Sequence, residues 1–316
     1  MTVPVLLLVD ALPPLGGAPA GTPAPGVTTA TTAPDDDARI RAVDPAAPHV
    51  TVLDLGVTRG DGIFESFGVV EGAVQALEPH LVRLARSATL LDLPALDLDV
   101  LRTAVLRSVE LHEPLPELLC KLVVTRGVEG ATDAHGRPAV TAWVYTDPGA
   151  DFRRERTEGV DVVTLDRGYR HDVAQTSPWL LQGAKTLSYA VNKAVYREAA
   201  RRGAQDVVLV SSDGFVLEGP TSTLVARYGD RVVTPATDQG ILAGTTQAAA
   251  FAWFAAQGLT TAEVQLTVER LREADGLWLL SSGRQSVPIR SLDGTSVPVD
   301  DTTTAGLLTH LLGRRS

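Results

Sequence analysis

The chain has 316 residues, 44% of them hydrophobic and 21% charged, with a formal net charge of −10. That is enough apolar material for a sizeable core in one large or two smaller domains, and too acidic, with no dense basic run, for a surface that neutralises nucleic-acid phosphates. A single cysteine, Cys120, excludes an intrachain disulfide and a cysteine-based zinc cluster and reads as a buried structural residue; small molecules are therefore the expected partners.

In the opening MTVPVLLLVDALPPLGG, the apolar run from Val3 to Val9 lacks a basic leader and is broken by Asp10 and Pro13. It reads as a strand rather than an export signal. No apolar segment reaches the roughly 18 residues of a membrane span, so a cytoplasmic protein is expected. Residues 11–37 are rich in Ala, Pro, Thr and Gly and poor in large side chains, which predicts a long surface loop. The apolar residues of VTVLDLG and IFESFGVVEGAVQAL predict strands around a turn at Val70, Glu71 and Gly72. Leu81, Leu84, Ala85, Ala88 and Leu91 then mark one face of a helix, and Asp97 is placed to cap another that runs to Leu111. KLVVTRG and PAVTAWVYT read as buried strands.

These elements make residues 1–148 a smaller N-terminal domain of mixed helix and strand. Residues 149–159, with Gly149, a charge run and no apolar period, read as the interdomain linker. The larger C-terminal domain, 160–316, opens with a strand at Val160 to Leu165. A loop through TSPW and a helix from about Thr186 to Arg202 come next. QDVVLVSSDGFVLEG follows as a hairpin on its SDG turn. A strand near Val232, a helix after GILAGTTQ, a strand at LWLLSS and a hairpin around SLDG complete an α+β chain.

Only three of the 28 basic residues are lysines: Lys121, Lys185 and Lys193. Where any surface cation would serve, this chain uses arginine, so a lysine points to chemistry arginine cannot do, such as losing its proton and attacking a carbonyl. Lys185 lies in LQGAKTLSYAVNKA, and its small and apolar neighbours Gly183, Ala184 and Leu187 suit a lysine of lowered pKa. Arg83 in PHLVRLARS offers a planar fork to a phosphate or carboxylate. Glu218 in LEGPTSTL can pair with a protonated ring nitrogen, GILAGTTQ feeds a helix N-terminus open to an anion, and SSGRQSVPIRS supplies hydroxyls at a strand end. Taken singly, each also fits a solvated surface position. Together they are the parts that pyridoxal 5′-phosphate requires.

The blocks RGDGIFESF, HLVRL, GAKTLSYAVN, DGFVLEGPTSTL, GILAGTT and SVPIRSLDG stand in this order between about Thr58 and Gly294. In them the chain resembles the fold-type IV pyridoxal-phosphate enzymes: branched-chain and D-amino-acid aminotransferases, (R)-amine transaminases and 4-amino-4-deoxychorismate lyases. The resemblance implies a two-domain α+β architecture like that of D-amino-acid aminotransferase, and a homodimer with its sites near the subunit interface. It makes Lys185 the Schiff-base lysine and Glu218 the partner of the pyridine nitrogen. Arg83, the backbone amides of Ile241 and Leu242, and the Ser282 hydroxyl become the phosphate ligands. The family usually has threonine after GI and at the Ser282 position, and this chain departs from it at both. GDGIFES is closer to the D-amino-acid and lyase branches than to the YGTSVFEG of the branched-chain enzymes. The implied activity is transfer of an amino group from a D-amino acid or (R)-amine to a 2-keto acid; the alternative is lysis of aminodeoxychorismate to 4-aminobenzoate and pyruvate. After KLVVT the chain reads RGVEGATDAHGRP, in which neither the Arg-x-His trap of the one branch nor the RGxGGRGY of the other is intact. Arg126, with His135 and Arg137 nearby, is the candidate for the substrate carboxylate, and decoration of a surface loop is the other reading.

Overall fold

The computed structural model describes residues 3–10, 36–133 and 136–315; residues 11–35 of the expected surface loop, and His135, lie outside them. The first sheet is antiparallel. It contains β1 (Val5–Val9), β2 (Ile40–Val43), β3 (Gly62–Val70), β4 (Ala73–Val74), β5 (Glu117–Thr125) and β6 (Thr141–Asp147) in the order β2-β1-β6-β5-β3-β4. Helices Leu77–Leu90 and Leu98–Glu110 cover one face, with Leu81, Leu84, Leu101 and Val105 packed on Leu7, Phe67, Leu122 and Val144. Asp97 caps the second helix by accepting from Val100 N, as expected. Phe64 and Ser66 of β3 pair with Val123 and Lys121 of β5, so these four side chains share the opposite face.

The second sheet is mixed. β7 (Val160–Asp166), β8 (Asp206–Val210), β9 (Thr223–Tyr228), β10 (Arg231–Pro235), β11 (Thr260–Val264), β12 (Gly276–Ser281) and β13 (Gln285–Leu292) run in the order β11-β10-β9-β12-β13-β7-β8, and β14 (Thr295–Ser296) pairs with β13. Helices Thr245–Ala256 and Asp301–Gly313 bury Trp278 and Leu280, while Ala190–Arg201 packs over Val207 and Leu209. Near-continuous apolar strands such as GLWLLS follow from burial on both faces. The chain passes between the sheets through residues 148–159, which carry a short helix, Arg153–Glu158. Its buried Arg156 donates to Glu117 of β5 and to the Arg284 carbonyl, which ties the two sheets together. No described helix is long and apolar enough to cross a membrane.

Two local expectations change. VTVLDLG is not a strand: the Asp54 carboxylate accepts from Gly56 N and starts the short helix Leu55–Arg59, leaving Val52 and Leu53 exposed. Nor does Lys185 stand at a helix start. β4 pairs only with the end of β3, so the beginning of β3 has an open edge, and residues 185–187 pair along it. Phe64 N donates to Lys185 O (3.1 Å), Leu187 N donates to Gly62 O (2.8 Å), and the helix begins only at Ala190. The lysine of the second domain is thus fastened to the first.

Candidate active site

The site begins with a carboxylate inside the first core. Glu65 falls on the helix-covered face of β3 with Ile63 and Phe67, and it is fully buried. A buried charge of this kind persists only when it is paired and hydrogen-bonded. Helix Leu77–Leu90 supplies the partners one turn apart: Arg83 donates through Nε (2.7 Å) and Nη2 (2.6 Å), and His80 Nδ1 lies 2.7 Å away. Burial pushes the Glu65 pKa up, but Arg83 and His80 outweigh it and hold the carboxyl at about 2. Burial lowers the pKa of His80 against the pull of Glu65. Its Nδ1–H donates to Glu65, and its Nε2 lies 3.1 Å from each of the Thr245 and Ser282 hydroxyls, holding both in place. Arg83 also donates to the Ala243 carbonyl (2.7 Å). One strand–helix unit therefore gathers a cation and two hydroxyls from three distant stretches of chain.

An anion would find further donors there. Helix Thr245–Ala256, whose first residue carries one of these hydroxyls, starts on Gly244, which brings no side-chain cap, so its first-turn N–H groups are uncapped by any side chain. Gly244 is required by space: a Cβ there would lie 2.4 Å from Thr223 Oγ1.

Lys185 borders this cradle. Its amine lies 4.3 Å from the centre of the Phe64 ring and 5.9 Å from that of Tyr189, and those two rings meet edge to face. Its backbone N–H donates to Ser87 Oγ on the helix that carries Arg83. Burial lowers its pKa to about 8; Glu65 and Glu218 work against that, and Arg83 and Lys121 assist it. At mildly alkaline pH a large share of the amine is neutral, which an arginine could not achieve. Glu218, on the return arm of the hairpin after β8, is held by Leu209 N, which donates to its carbonyl, and accepts from Leu242 N at Oε2 (3.3 Å). Burial pushes its carboxyl up to about 7, against the Leu242 N–H, Lys185, Arg167 and Arg83.

The structure thus brings Lys185, Glu218, Arg83 and Ser282 into one cluster. Ile241 is buried, and Leu242 N engages the Glu218 carboxylate. Arg126 stands apart. Its guanidinium donates to Asp61 (2.6 Å) and to the carbonyls of Leu91 and Asp92, bracing the elements around the first sheet. Arg137 is paired with Asp133 in its own loop. Sequence reading had passed over Glu65, His80 and Thr245. The signal for Glu65 was a lone acid inside the apolar strand GIFESFGVV; for His80 it was the spacing of three from Arg83, one helical turn.

The sequence profile of the amino-transferase class IV family matches residues 62–292, most of the chain. The chain belongs to the class IV aminotransferases. This aminotransferase is 41% identical over 266 residues to a bifunctional aminodeoxychorismate lyase/D-amino acid transaminase of Mycobacterium tuberculosis, covering 81% of this chain and 90% of the relative. Its fold matches that of the fold IV transaminase CpuTA1 of Curtobacterium pusillum with a TM-score of 0.86 and 49% identity, over 98% and 99% of the two chains. It also matches a hypothetical aminotransferase of Mycobacterium tuberculosis in an α-ketoglutarate- and PMP-bound form, with a TM-score of 0.80 and 38% identity over 86% and 96%. The aminotransferase uses pyridoxal 5′-phosphate, as its family does, and its residues suit that group. Arg83, the two hydroxyls and the uncapped helix form a phosphate cradle, and a carboxylate and a neutralisable amine stand beside it. No metal-binding group of His, Cys, Asp and Glu occurs among the described residues.

Proposed function

We propose that this aminotransferase moves the amino group of a D-amino acid or (R)-amine to a 2-keto acid. The observation that carries the reading is the Lys185 amine, drawn down to about 8 by burial, fastened to β3 and flanked by Glu218 and the anion cradle. When bound, the cofactor supplies an aldehyde and an electron-withdrawing ring that renders a substrate Cα–H acidic. Lys185 provides the amine for that aldehyde and, once displaced by the substrate amine, takes the Cα proton as a general base. Glu218 holds a proton at the ring nitrogen, and Arg83, Thr245, Ser282 and the amide of Ile241 take the phosphate, while the Leu242 amide is spent on the Glu218 carboxylate. The Phe64–Tyr189 wall keeps water from one side of the amine. The name of the 41% identical relative supports a D-amino acid donor, and the α-ketoglutarate in the 38% identical structure supports a 2-keto acid acceptor.

The relative's second named activity favours one alternative, lysis of aminodeoxychorismate on the same machinery. The reading also includes a homodimer. Trp179 and Leu180, just before the lysine, together with Val191 and the Val52–Leu53–Val57 group, expose large apolar side chains of the kind that subunit contacts cover.

The test is parallel turnover of D-alanine with 2-oxoglutarate, an (R)-amine with pyruvate, and aminodeoxychorismate without acceptor, with Lys185→Ala as the control and the (R)-amine reaction followed by amine loss. Transamination in either of the first two, abolished by Lys185→Ala, is expected. Pyruvate from the third with no turnover in the others would replace the transaminase reading by the lyase one.

A further inference from the structure

Beside Glu218 lies a cavity of about 20 Å³ walled by Arg167, Gln239, Asn192, Leu217, Ile241 and Glu218 itself. Two of its walls carry a buried polar atom with no hydrogen-bond partner among the described residues: Arg167 Nη1 and Gln239 Oε1. Buried polar atoms are rarely left so, and these two are complementary, one a donor and the other an acceptor. The Gln239 amide cannot simply be turned over, because its Nε2 donates to the Ala236 carbonyl (3.4 Å) and fixes the oxygen toward the cavity. Arg167 is fixed as well: its N–H donates to Val210 O (2.8 Å) and its guanidinium stacks 5.5 Å from the Tyr169 ring. A space of this size holds one water, and a buried water needs two to four polar partners.

We propose that Arg167 and Gln239 hold one buried water against the Glu218 carboxylate, and that Arg167 acts through it as the positioning residue that keeps Glu218 ionised and aimed. The water accepts from Arg167 Nη1 and donates to Gln239 Oε1 and to Glu218. Glu218 then has a fixed donor on its cavity side, Leu242 N on Oε2, and the ring nitrogen; this last contact rests on the reading of Glu218 given under Proposed function. The charged or titratable groups facing Glu218 are Lys185 and Tyr189 from the loop before helix Ala190–Arg201, Arg83 from helix Leu77–Leu90, and Arg167 from the loop after β7. Of these only Arg167 shares the cavity. Arg170 also lines the cavity, but its guanidinium is paired with Asp172 and Asp213; removing the Arg167 charge therefore takes away the cavity cation that acts on Glu218 and shifts the carboxylate toward its neutral form.

The experiment follows the Glu218 carboxyl in cofactor-free protein by infrared pH titration, with Glu218→Gln identifying its band, and separately measures pyridoxal phosphate affinity of the same proteins. Arg167→Met is expected to raise the Glu218 midpoint by about one pH unit and to weaken cofactor binding about tenfold at neutral pH. Gln239→Leu is expected to shift the midpoint less, in the same direction, and Arg167→Lys to restore most of it. A high-resolution crystal structure is expected to show a water on Arg167 and Gln239. If Arg167→Met and Gln239→Leu leave the midpoint in place, the proposal is overturned. Should Arg167→Met fail to fold, Gln239→Leu and Arg167→Lys decide by the same midpoint. If instead Glu218→Gln binds the cofactor like the parent enzyme, the ring-nitrogen reading fails while the titration still judges Arg167.

Discussion

Replacing Glu65 by glutamine keeps the shape of the side chain and removes its charge from the centre of the site. In the folded protein the Glu65 carboxyl is held at about 2, against an ordinary value of 4.5. The difference corresponds to about 3 kcal/mol of stability at neutral pH. Because the folded value is the lower one, this contribution is complete above the unfolded value and is lost as pH falls from 4.5 towards 2. By pH 3 about 2 kcal/mol of it has gone. Urea unfolding of the cofactor-free parent and Glu65→Gln proteins at pH 7 and pH 3 isolates the effect, since other carboxylates contribute equally to both. The expected cost of the substitution is about 3 kcal/mol at pH 7, shrinking to about 1 kcal/mol at pH 3. Arg83, with a side chain only 11% exposed, is left with half of its partner, so cofactor affinity falls as well. An equal cost at both pH values would refute the claim that an ionised Glu65 organises Arg83 and His80.

Three further outcomes follow from the geometry. Cofactor capture by cofactor-free protein, followed by visible absorbance in stopped flow, is expected to rise about tenfold per pH unit below pH 8 and level off above it, because the Lys185 value of about 8 sets the neutral fraction; a plateau only above pH 10 would mean an unperturbed lysine. Gly244→Ala drives a methyl against Thr223 Oγ1 and is expected to cost about 1–3 kcal/mol while weakening phosphate-bearing ligands more than pyridoxal itself, as read by calorimetry. Arg126→Gln is expected to lower stability by about 1–2 kcal/mol through the lost carbonyl bonds and a partly exposed ion pair, with KM for the keto acid changed less than threefold; a large KM effect would return Arg126 to the substrate.

The features legible in the chain before folding are local or linear. Helix Leu98–Glu110 was legible from its apolar period and the Asp97 cap, the β3–β4 turn from Glu71 and Gly72, and the lysine's importance from the scarcity of its kind. Ordered motifs also singled out Lys185, Glu218 and Arg83, since each lies in a block whose residues are adjacent in the chain. Tertiary structure alone decided the rest. His80 meets Thr245 and Ser282 across 165 and 202 residues, and no periodicity within a window of a dozen residues encodes such a meeting. Residues 186–189 leave the expected helix because β3 offers an open edge to them, and Arg126 turns inward because Asp61 and two carbonyls are within reach. A side chain's type limits its chemistry, but its charge state and its partners are set by burial and by distant neighbours, which exist only once the chain has folded.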